Sequence, residues 1–336
     1  MKKVIFILSA AGIIILFAET ALRMSGKYRT YSERINSIYV SPYAEESRNE
    51  YLFRYNPGTT VHQKGKEFLF QRRVNAIGFT EHRTPEIFLH GFSILALGDS
   101  YTEGMGAEYQ ESWPRRLEAL LNTGDENYRV YNSGISGNDP FFEFQNLKFL
   151  FPKIQPRIVI ILLNRSDFSD VVIRGGMERF QRDGSVRYQR KAPWWEPFYK
   201  WSHTARAVFH FPIFNIKGNN IFKEGTPGIL GALDSCRTYT EEHHAILLPV
   251  YLPIPVKGKV VISPDEKIYL DSMKSRYGLL FLDLTSTIRA HADSRFFWEL
   301  DSHCTNLGYD VIAQAILEHL QRNVLPRTSR TSVFKQ

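Results

Sequence analysis

The stretch ILALGDSYTEG, residues 94–104, joins a continuous apolar run to a polar segment that contains glycine. A short apolar run that ends at Gly and Asp is typical of a strand buried on both faces of a parallel sheet. Ser100 follows this run directly, where open α/β sheets bind their ligands, so it is a candidate nucleophile. Ser100 also fits, together with Glu103, the S-x-x-E pattern of a helix capping box. Gly104 and Gly106 weaken this second interpretation, because glycine disfavours a first helical turn.

Similar apolar runs recur along the chain and alternate with helical patterns. We predict strands at residues 92–97, 129–131, 158–163, 245–252 and 279–284. We predict helices at residues 111–122, 141–154, 263–278 (with Ser263 as N-cap and Gly278 at the end) and 306–323. Strands that alternate with helices indicate an α/β fold, in which helices cover both faces of a parallel sheet.

Polar residues suited to catalysis follow the predicted strands. NSGISG, residues 132–137, comes after the second strand, NRSD, residues 164–167, after the third, and DSHCTNLG, residues 301–308, after the fifth. A serine hydroxyl acts as a nucleophile near neutral pH only beside a base, and that base needs an acceptor that orients it. His303 and Asp301 are such a pair. Each feature alone has an ordinary structural explanation, but their order after these strands favours a serine nucleophile.

The chain resembles the SGNH (GDSL-type) hydrolases over about residues 92–325. Residues 98–102, GDSYT, match the first sequence block of that family, and residues 132–134, NSG, match the second. The last block, in the variant where Asp and His are two positions apart, is matched by Asp301, His303, Asn306 and Gly308. The apolar N-terminus and VNAIGF at residues 74–79 are similar to those of membrane-tethered bacterial members of this superfamily.

The resemblance implies a three-layer, flavodoxin-like α/β fold with a parallel five-stranded sheet. It also implies a catalytic triad of Ser100, His303 and Asp301. The oxyanion hole implied by the family consists of the amides of Ser100 and Gly134 and a side chain from the third block. A carboxylic ester hydrolase of this type needs no metal and no cofactor.

The third block is where this sequence departs from the family pattern. The family has Gly-x-Asn-Asp, whereas NRSD aligned on Asp167 places Asn164 at the glycine and Ser166 at the asparagine. Three outcomes stay open: the Ser166 hydroxyl donates to the oxyanion, Asn164 reaches it through a local shift, or this donor is absent. Loss of one donor costs about two to three orders of magnitude in turnover, which slows such an enzyme without abolishing it.

The N-terminus has the pattern of a signal-anchor segment. Two lysines precede the apolar run at residues 4–18, and a basic start before such a run is typical of secretory signals and anchors. Cleavage after Ala18 would leave bulky Leu16 where a small residue is needed, so we expect residues 1–24 to stay as a single-pass membrane anchor. The lysines remain on the cytoplasmic side, which places the rest of the chain outside, in the periplasm.

Four regions are expected after the anchor. They are an N-terminal extension, a hydrolase domain, an insertion within that domain and a flexible tail, at residues 25–90, 91–325, 172–228 and 326–336. The extension contains short β-like pieces at residues 67–74 and 74–79. The insertion is rich in Trp, Tyr and Arg, and it either contacts sugar rings or lipid headgroups or forms a lid packed on its own aromatic residues.

Composition and spacing argue against several other classes of function. The formal net charge of +7 is spread along the chain without a basic run, so we expect no nucleic-acid partner. Cys236 and Cys304 are too few for a disulfide scaffold and form either one bridge or two free thiols. His243 and His244 have no spaced partner, so a metal site there is not expected. The sequence has neither a Walker-type loop nor a G-x-S-x-G elbow.

The leading hypothesis is a membrane-anchored, extracytoplasmic serine esterase. Its substrates would be O-acetyl groups on envelope or exported polysaccharide, or small lipid esters. The same triad serves acyl transfer to a sugar hydroxyl, so an O-acyltransferase is the first alternative. The second is a non-catalytic carbohydrate-binding or scaffold protein that retains the fold, which the altered third block favours. The sequence does not predict the oligomeric state.

Overall fold

The computed structural model describes residues 2–25, 54–55, 57–65, 67–89, 91–123, 127–174, 176–177, 202–205, 207–208, 221–256, 258–293 and 295–325. The main helices are α1 (Lys2–Ser25), α2 (Ser100–Glu103), α3 (Trp113–Leu121), α4 (Pro140–Ile154), α5 (Arg165–Arg174), α6 (Ile221–Glu242), α7 (Pro264–Tyr277), α8 (Thr285–Ala290) and α9 (Asn306–His319). The strands are β1 (Thr60–Lys64), β2 (Leu69–Arg73), β3 (Phe92–Gly98), β4 (Tyr128–Asn132), β5 (Ile158–Asn164), β6 (Ile246–Leu252) and β7 (Leu282–Asp283).

Five parallel strands form the central sheet in the order β4-β3-β5-β6-β7. Numbered by their sequence order within this sheet, the strands run 2-1-3-4-5, which is the flavodoxin-like order. Ala96 of β3 pairs with Asn132 on one side and with Ile160 on the other. The predicted α/β fold with a parallel five-stranded sheet is confirmed. The ends of β3 and β5 lie at the switch point where the strand order reverses and where such sheets bind ligands.

Alternate residues of the sheet point into two apolar cores, one on each face. Leu95 and Leu97 of β3 pack with residues of α4, α6 and α7, whereas Ile94 and Ala96 pack with residues of α3 and α9. The period of two follows from strand geometry and explains why one short, continuous apolar run serves both cores.

The two cysteines lie in opposite cores of the sheet. Cys236 belongs to the core under α4, α6 and α7, and Cys304 belongs to the core under α3 and α9. Both are buried and free. Of the two predicted alternatives, the structure therefore has two free thiols and no bridge.

Most predicted elements are present within one or two residues of their expected ends, and two predictions are wrong. The predicted last strand is reduced to Leu282–Asp283, because the chain before it, Gly278–Leu280, forms a 3₁₀ turn. The predicted β-like piece at residues 74–79 is a turn, in which Asn75 Oδ1 accepts hydrogen bonds from the amides of Ile77 and Phe79. Asparagine side chains stabilise turns in this way at the expense of a strand ladder.

The N-terminal extension packs on the sheet domain through the antiparallel hairpin of β1 and β2. Tyr55, Val61, Val74 and Phe79 are buried in the same core as Leu95 of the central sheet. The extension therefore shares an apolar core with the sheet.

The chain begins with an exposed apolar helix. α1 has 24 residues and is long and apolar enough to cross a membrane. It is consistent with a signal sequence or an anchor. The aromatic residues of the predicted insertion and the predicted tail lie outside the described residues; they are Trp194, Trp195, Phe198, Tyr199 and Trp201, and residues 326–336.

Glu103, at the end of α2, is a buried carboxyl group with many hydrogen-bond donors, which oppose the rise in its pKa that burial causes. It accepts hydrogen bonds from the Tyr55 hydroxyl at 3.0 Å and from Gln63 Nε2 at 2.9 Å. The amide and the hydroxyl of Ser136 both donate to it at 2.7 Å. These donors come from the N-terminal extension and from the loop after β4, so Glu103 joins both to the helix that begins at Ser100.

Glu143, in α4, is a buried carboxyl group that lacks such donors. Among the described residues, no donor reaches either of its side-chain oxygens. Burial, with the charges of Asp99 and Asp139, raises the pKa of Glu143 well above its usual 4.5. The side chain is therefore held in its protonated form at pH values where an exposed glutamate is ionised.

We expect Glu143→Gln to stabilise the fold at neutral pH. Because the folded-state pKa is raised, the stability that the protonated side chain contributes is complete below pH 4.5 and is lost as pH rises through the folded value. A glutamine side chain does not ionise, so its contribution to stability does not change over this pH range. Urea unfolding should therefore show an advantage of the variant that grows by about 1.4 kcal/mol per pH unit above pH 4.5, up to the folded pKa.

Glu103→Gln is the matched control for this prediction. A glutamine side chain has one acceptor oxygen and would point an amide group at donors, so the free energy of unfolding should fall by about 1–3 kcal/mol. A Glu143→Gln protein less stable than the wild type at pH 7 would contradict the prediction.

Candidate active site

A sharp turn at the end of β3 presents Ser100 at the switch point of the sheet. Gly98 has a φ of 152°, and a Cβ atom there would lie 2.1 Å from Thr102 Oγ1, so the turn requires glycine. Asp99 is the N-cap of α2 and accepts a hydrogen bond from the Tyr101 amide. Ser100 is the first helical residue and is partly exposed. The interpretation of Ser100 as the capping residue is therefore wrong.

The structure brings Ser100, His303 and Asp301 into one chain of hydrogen bonds. Ser100 Oγ lies 2.7 Å from His303 Nε2, and His303 Nδ1 lies 2.5 Å from Asp301 Oδ1. A carboxylate only accepts hydrogen bonds, so Nδ1 carries the proton and Nε2 accepts the hydrogen bond of the serine hydroxyl. This arrangement can take the serine proton as the serine oxygen attacks an electrophile.

The environment of Asp301 keeps it ionised. Burial acts to raise its pKa, but the hydrogen bond and the charge of His303 outweigh burial and leave the pKa below its usual 3.8. Asp301 is therefore a carboxylate at neutral pH. Such a group can orient an imidazole and stabilise its protonated form.

Tyr101 holds the imidazole of His303 from one side. The two rings are stacked, with centroids 4.6 Å apart and an angle of 27° between their planes. The Tyr101 hydroxyl donates to the carbonyl oxygen of Ser302 at 3.1 Å. Ser302 has a φ of 71°, a left-handed conformation that costs a non-glycine residue about 1–3 kcal/mol. In the sequence, only the position of Tyr101 next to Ser100 points to this contact with His303.

The side chains of the third block converge on Asp99. Asn164 Nδ2 donates to Asp99 Oδ2 at 2.9 Å. The Ser166 hydroxyl lies 3.1 Å from the same oxygen and 2.5 Å from Asn164 Oδ1. Asn164 is fully buried, whereas Ser166 is partly exposed. Of these two predicted oxyanion donors, Ser166 is therefore the one that faces a surface that a substrate could reach.

Asp167 supports the backbone at the end of β5. Its Oδ2 accepts a hydrogen bond from the Asn164 amide at 2.7 Å. Burial, then the charges of Asp99 and Glu143, raises the pKa of Asp167 well above its usual 3.8. Burial also raises the pKa of Asp99. A buried group of carboxyl side chains thus lies beneath the turn that carries Ser100.

The two glycines of the loop after β4 have different environments. Gly134 is buried, and its amide donates to Asn132 Oδ1 at 3.0 Å. A Cβ atom at Gly134 would lie 2.2 Å from the Glu103 nitrogen, so glycine is needed there for close packing against α2. Gly137 is partly exposed and has a φ of 81°. The amide of Gly134, the predicted oxyanion donor, has an acceptor elsewhere, and Gly137 is the more accessible glycine of the loop.

Comparison of the sequence with known proteins gives one family match. Residues 96–192 match the model of the GDSL-like Lipase/Acylhydrolase family. The matched segment contains Ser100 and the second and third blocks, and it ends before Asp301 and His303. No curated protein sequence matches the chain.

Comparison of the fold gives distant similarities to solved structures. They include TesA, the psychrotrophic esterase EstA from Pseudoalteromonas sp., and a member of the lipolytic protein G-D-S-L family from Veillonella parvula DSM 2008. Their sequence identities to this chain are 15%, 11% and 11%, and the TM-score is 0.43 in each case. The alignments cover 68%, 68% and 69% of this chain and 98%, 97% and 100% of the three structures. Residues 96–192 of the chain are therefore similar to the GDSL-like Lipase/Acylhydrolase family.

Proposed function

We propose that this chain is a serine esterase, with Ser100 as nucleophile, His303 as general base and Asp301 as the carboxylate that orients it. The observation that carries the proposal is the contact of 2.7 Å between Ser100 Oγ and His303 Nε2. These two residues are 203 positions apart in the chain, and a base within hydrogen-bond reach is what a serine nucleophile needs. The family match supports an ester as the substrate.

The first half of the proposed reaction forms an acyl-enzyme. Ser100 Oγ attacks the ester carbonyl carbon while its proton passes to His303 Nε2. The resulting imidazolium is stabilised by Asp301 at Nδ1. When the tetrahedral intermediate collapses, the bond to the alcohol breaks, and His303 returns its proton to the leaving oxygen.

The second half of the reaction releases the acyl group. A water molecule attacks the acyl-enzyme and gives a proton to His303, and collapse of the second intermediate frees the acid and restores the Ser100 hydroxyl. A sugar hydroxyl in place of this water would give acyl transfer through the same groups. Measuring free acetate and acetylated glycan in one assay separates the two outcomes.

The oxyanion of both intermediates needs donors near Ser100. The Ser100 amide is the first of α2 and has no acceptor within the helix, so it is available to the oxyanion. Gly134 becomes a second donor if its amide leaves Asn132 Oδ1, and the amide of Gly137 is the alternative in the same loop. Ser166 supplies the third donor when its hydroxyl turns from Asp99 and Asn164.

The proposed location is the outer side of the cell membrane. The support is the apolar α1 behind two lysines, with residues 1–24 as the anchor and residues 91–325 as the hydrolase domain. From there the site would act on O-acetyl groups of envelope or exported polysaccharide, or on small lipid esters. The Trp- and Arg-rich insertion at residues 172–228 is suited to contact with sugars or lipid headgroups.

Ser100→Ala should abolish hydrolysis of p-nitrophenyl acetate by the full chain in detergent. Removing the nucleophile of a serine triad lowers turnover by about four to six orders of magnitude. Steady-state rates measure this loss, and mass spectrometry should find a fluorophosphonate adduct on Ser100 of the wild type.

Ser235→Ala is the matched control for Ser100→Ala. Ser235 lies in α6, and its hydroxyl donates to the Gly231 carbonyl oxygen of the same helix, so the variant should keep wild-type activity. If Ser100→Ala kept the activity of the Ser235 variant, Ser100 would not be the nucleophile.

Ser166→Ala should lower kcat by about 10²- to 10³-fold and change KM little, because an oxyanion donor acts mainly in the transition state. Ser166→Asn restores the family residue and should keep more activity than Ser166→Ala. Steady-state kinetics with p-nitrophenyl acetate measures both.

Ser169→Ala serves as the control on the same helix. The Ser169 hydroxyl donates to the Ser166 carbonyl oxygen and not to the carboxyl group of Asp99. Equal kcat values for Ser166→Ala and wild type would show that backbone amides alone hold the oxyanion.

A further inference from the structure

Glu67, from another part of the molecule, accepts hydrogen bonds from three successive amides of the loop that carries Asp301. Glu67 Oε1 accepts a hydrogen bond from the Glu299 amide at 3.2 Å. Glu67 Oε2 accepts hydrogen bonds from the Leu300 amide at 2.8 Å and from the Asp301 amide at 3.2 Å. Three successive amides thus point at one carboxylate, as in the anion-binding concavities that consecutive N–H groups form.

Glu67 comes from the turn between β1 and β2, which lies against the same loop at a second point. The turn is closed by a hydrogen bond from the Gly65 amide to the Phe68 carbonyl oxygen at 3.0 Å. The ring of Phe68 lies 5.5 Å from the ring of Trp298. Trp298 Nε1 in turn donates to the Gly106 carbonyl oxygen at 2.7 Å, in the segment that follows α2. The hairpin turn therefore contacts the loop that carries Asp301, and this loop contacts the segment that follows α2.

Among the described residues, Glu67 is the hydrogen-bond acceptor of the Asp301 amide, while other contacts hold the neighbouring residues of the loop. The loop lies outside the central sheet and the helices. Backbone hydrogen bonds join Trp298 to His303 and to Ser302, and an antiparallel bridge joins Phe297 to Cys304. Ser302 is in the left-handed conformation, which persists only where the surroundings enforce it. The Asp301 amide is the last of the three that Glu67 holds, and the Asp301 side chain lies 2.5 Å from His303 Nδ1.

We propose that Glu67 is a positioning residue for Asp301 and His303. The hairpin of the N-terminal extension would then help to set the geometry of the active site. This inference rests on the proposed esterase function. Glu67 does not contact the reacting atoms. It fixes the backbone of residues 299–301, and the backbone fixes the carboxylate that orients the base.

The kinetic test compares Glu67→Ala and Glu67→Gln with wild type, using p-nitrophenyl acetate and the full chain in detergent. A displacement of about 1 Å at a catalytic group costs about 10²-fold, so kcat should fall by about 10- to 100-fold. KM should change little, because the loop contact does not bind the ester. Gln71→Ala, at an exposed position of β2 in the same hairpin, is the matched control and should keep the wild-type kcat.

A double-mutant cycle separates positioning from a general structural effect. In an Asp301→Asn background, Glu67→Ala should lower kcat by less than about two-fold more, because the group that Glu67 positions is already disabled. A full further loss of 10- to 100-fold would mean that Glu67 acts on the fold as a whole, and would overturn the inference.

Hydrogen exchange provides a readout that does not depend on activity. In Glu67→Ala the amides of residues 299–301 should exchange faster than in wild type and in Gln71→Ala. Unchanged exchange would overturn the role of Glu67 even if the chain is an esterase. If exchange is faster in Glu67→Ala but the wild type shows no esterase activity, the proposed function is overturned. The positioning role of Glu67 in catalysis is then overturned with it.

Discussion

The carboxylate of Glu103 is the point at which three segments of the chain are joined. Tyr55 and Gln63 reach it from the N-terminal extension, Ser136 reaches it from the loop after β4, and Glu103 itself ends the helix that begins at Ser100. A buried carboxylate is costly unless donors surround it, so these segments have to be in place together. The close packing at Gly134 lies at the same place, because a Cβ atom there would lie 2.2 Å from the Glu103 nitrogen.

Much of the fold could be predicted because it depends on local patterns. A short apolar run between Gly, Pro or Asp predicts a buried strand, and parallel strands carry their following residues to one edge. That rule is enough to bring residues 100, 134 and 164–167 to one side of the sheet. Residues 301–303 come after β7 and α8, and the contact of His303 with Ser100 shows that they lie there as well. It failed at residues 74–79, where the side chain of Asn75 forms a turn, and near residue 280, where a 3₁₀ turn shortens the strand.

The details of the site depend on contacts that leave no pattern in the sequence. Glu67 binds backbone N–H groups, which every residue except proline has, so the residue types in the Asp301 loop do not reveal the contact. The direction of the Gly134 amide and the bonds of Ser166 to Asp99 depend on side-chain conformations inside a packed interior. Sequence blocks therefore indicate which residues meet, and only the packing decides which donor points where.

The family match begins at residue 96, whereas the described side chains that support the site include Tyr55, 41 positions earlier. A soluble fragment cut at the start of the match would lose two donors to Glu103 and the carboxylate that holds the loop at residues 299–301. Its sheet would also lose the apolar cover provided by Val61, Val74 and Phe79. The smallest piece of this protein suited to crystallisation and assay therefore starts between the apolar helix and Tyr55, well before the first block of the family.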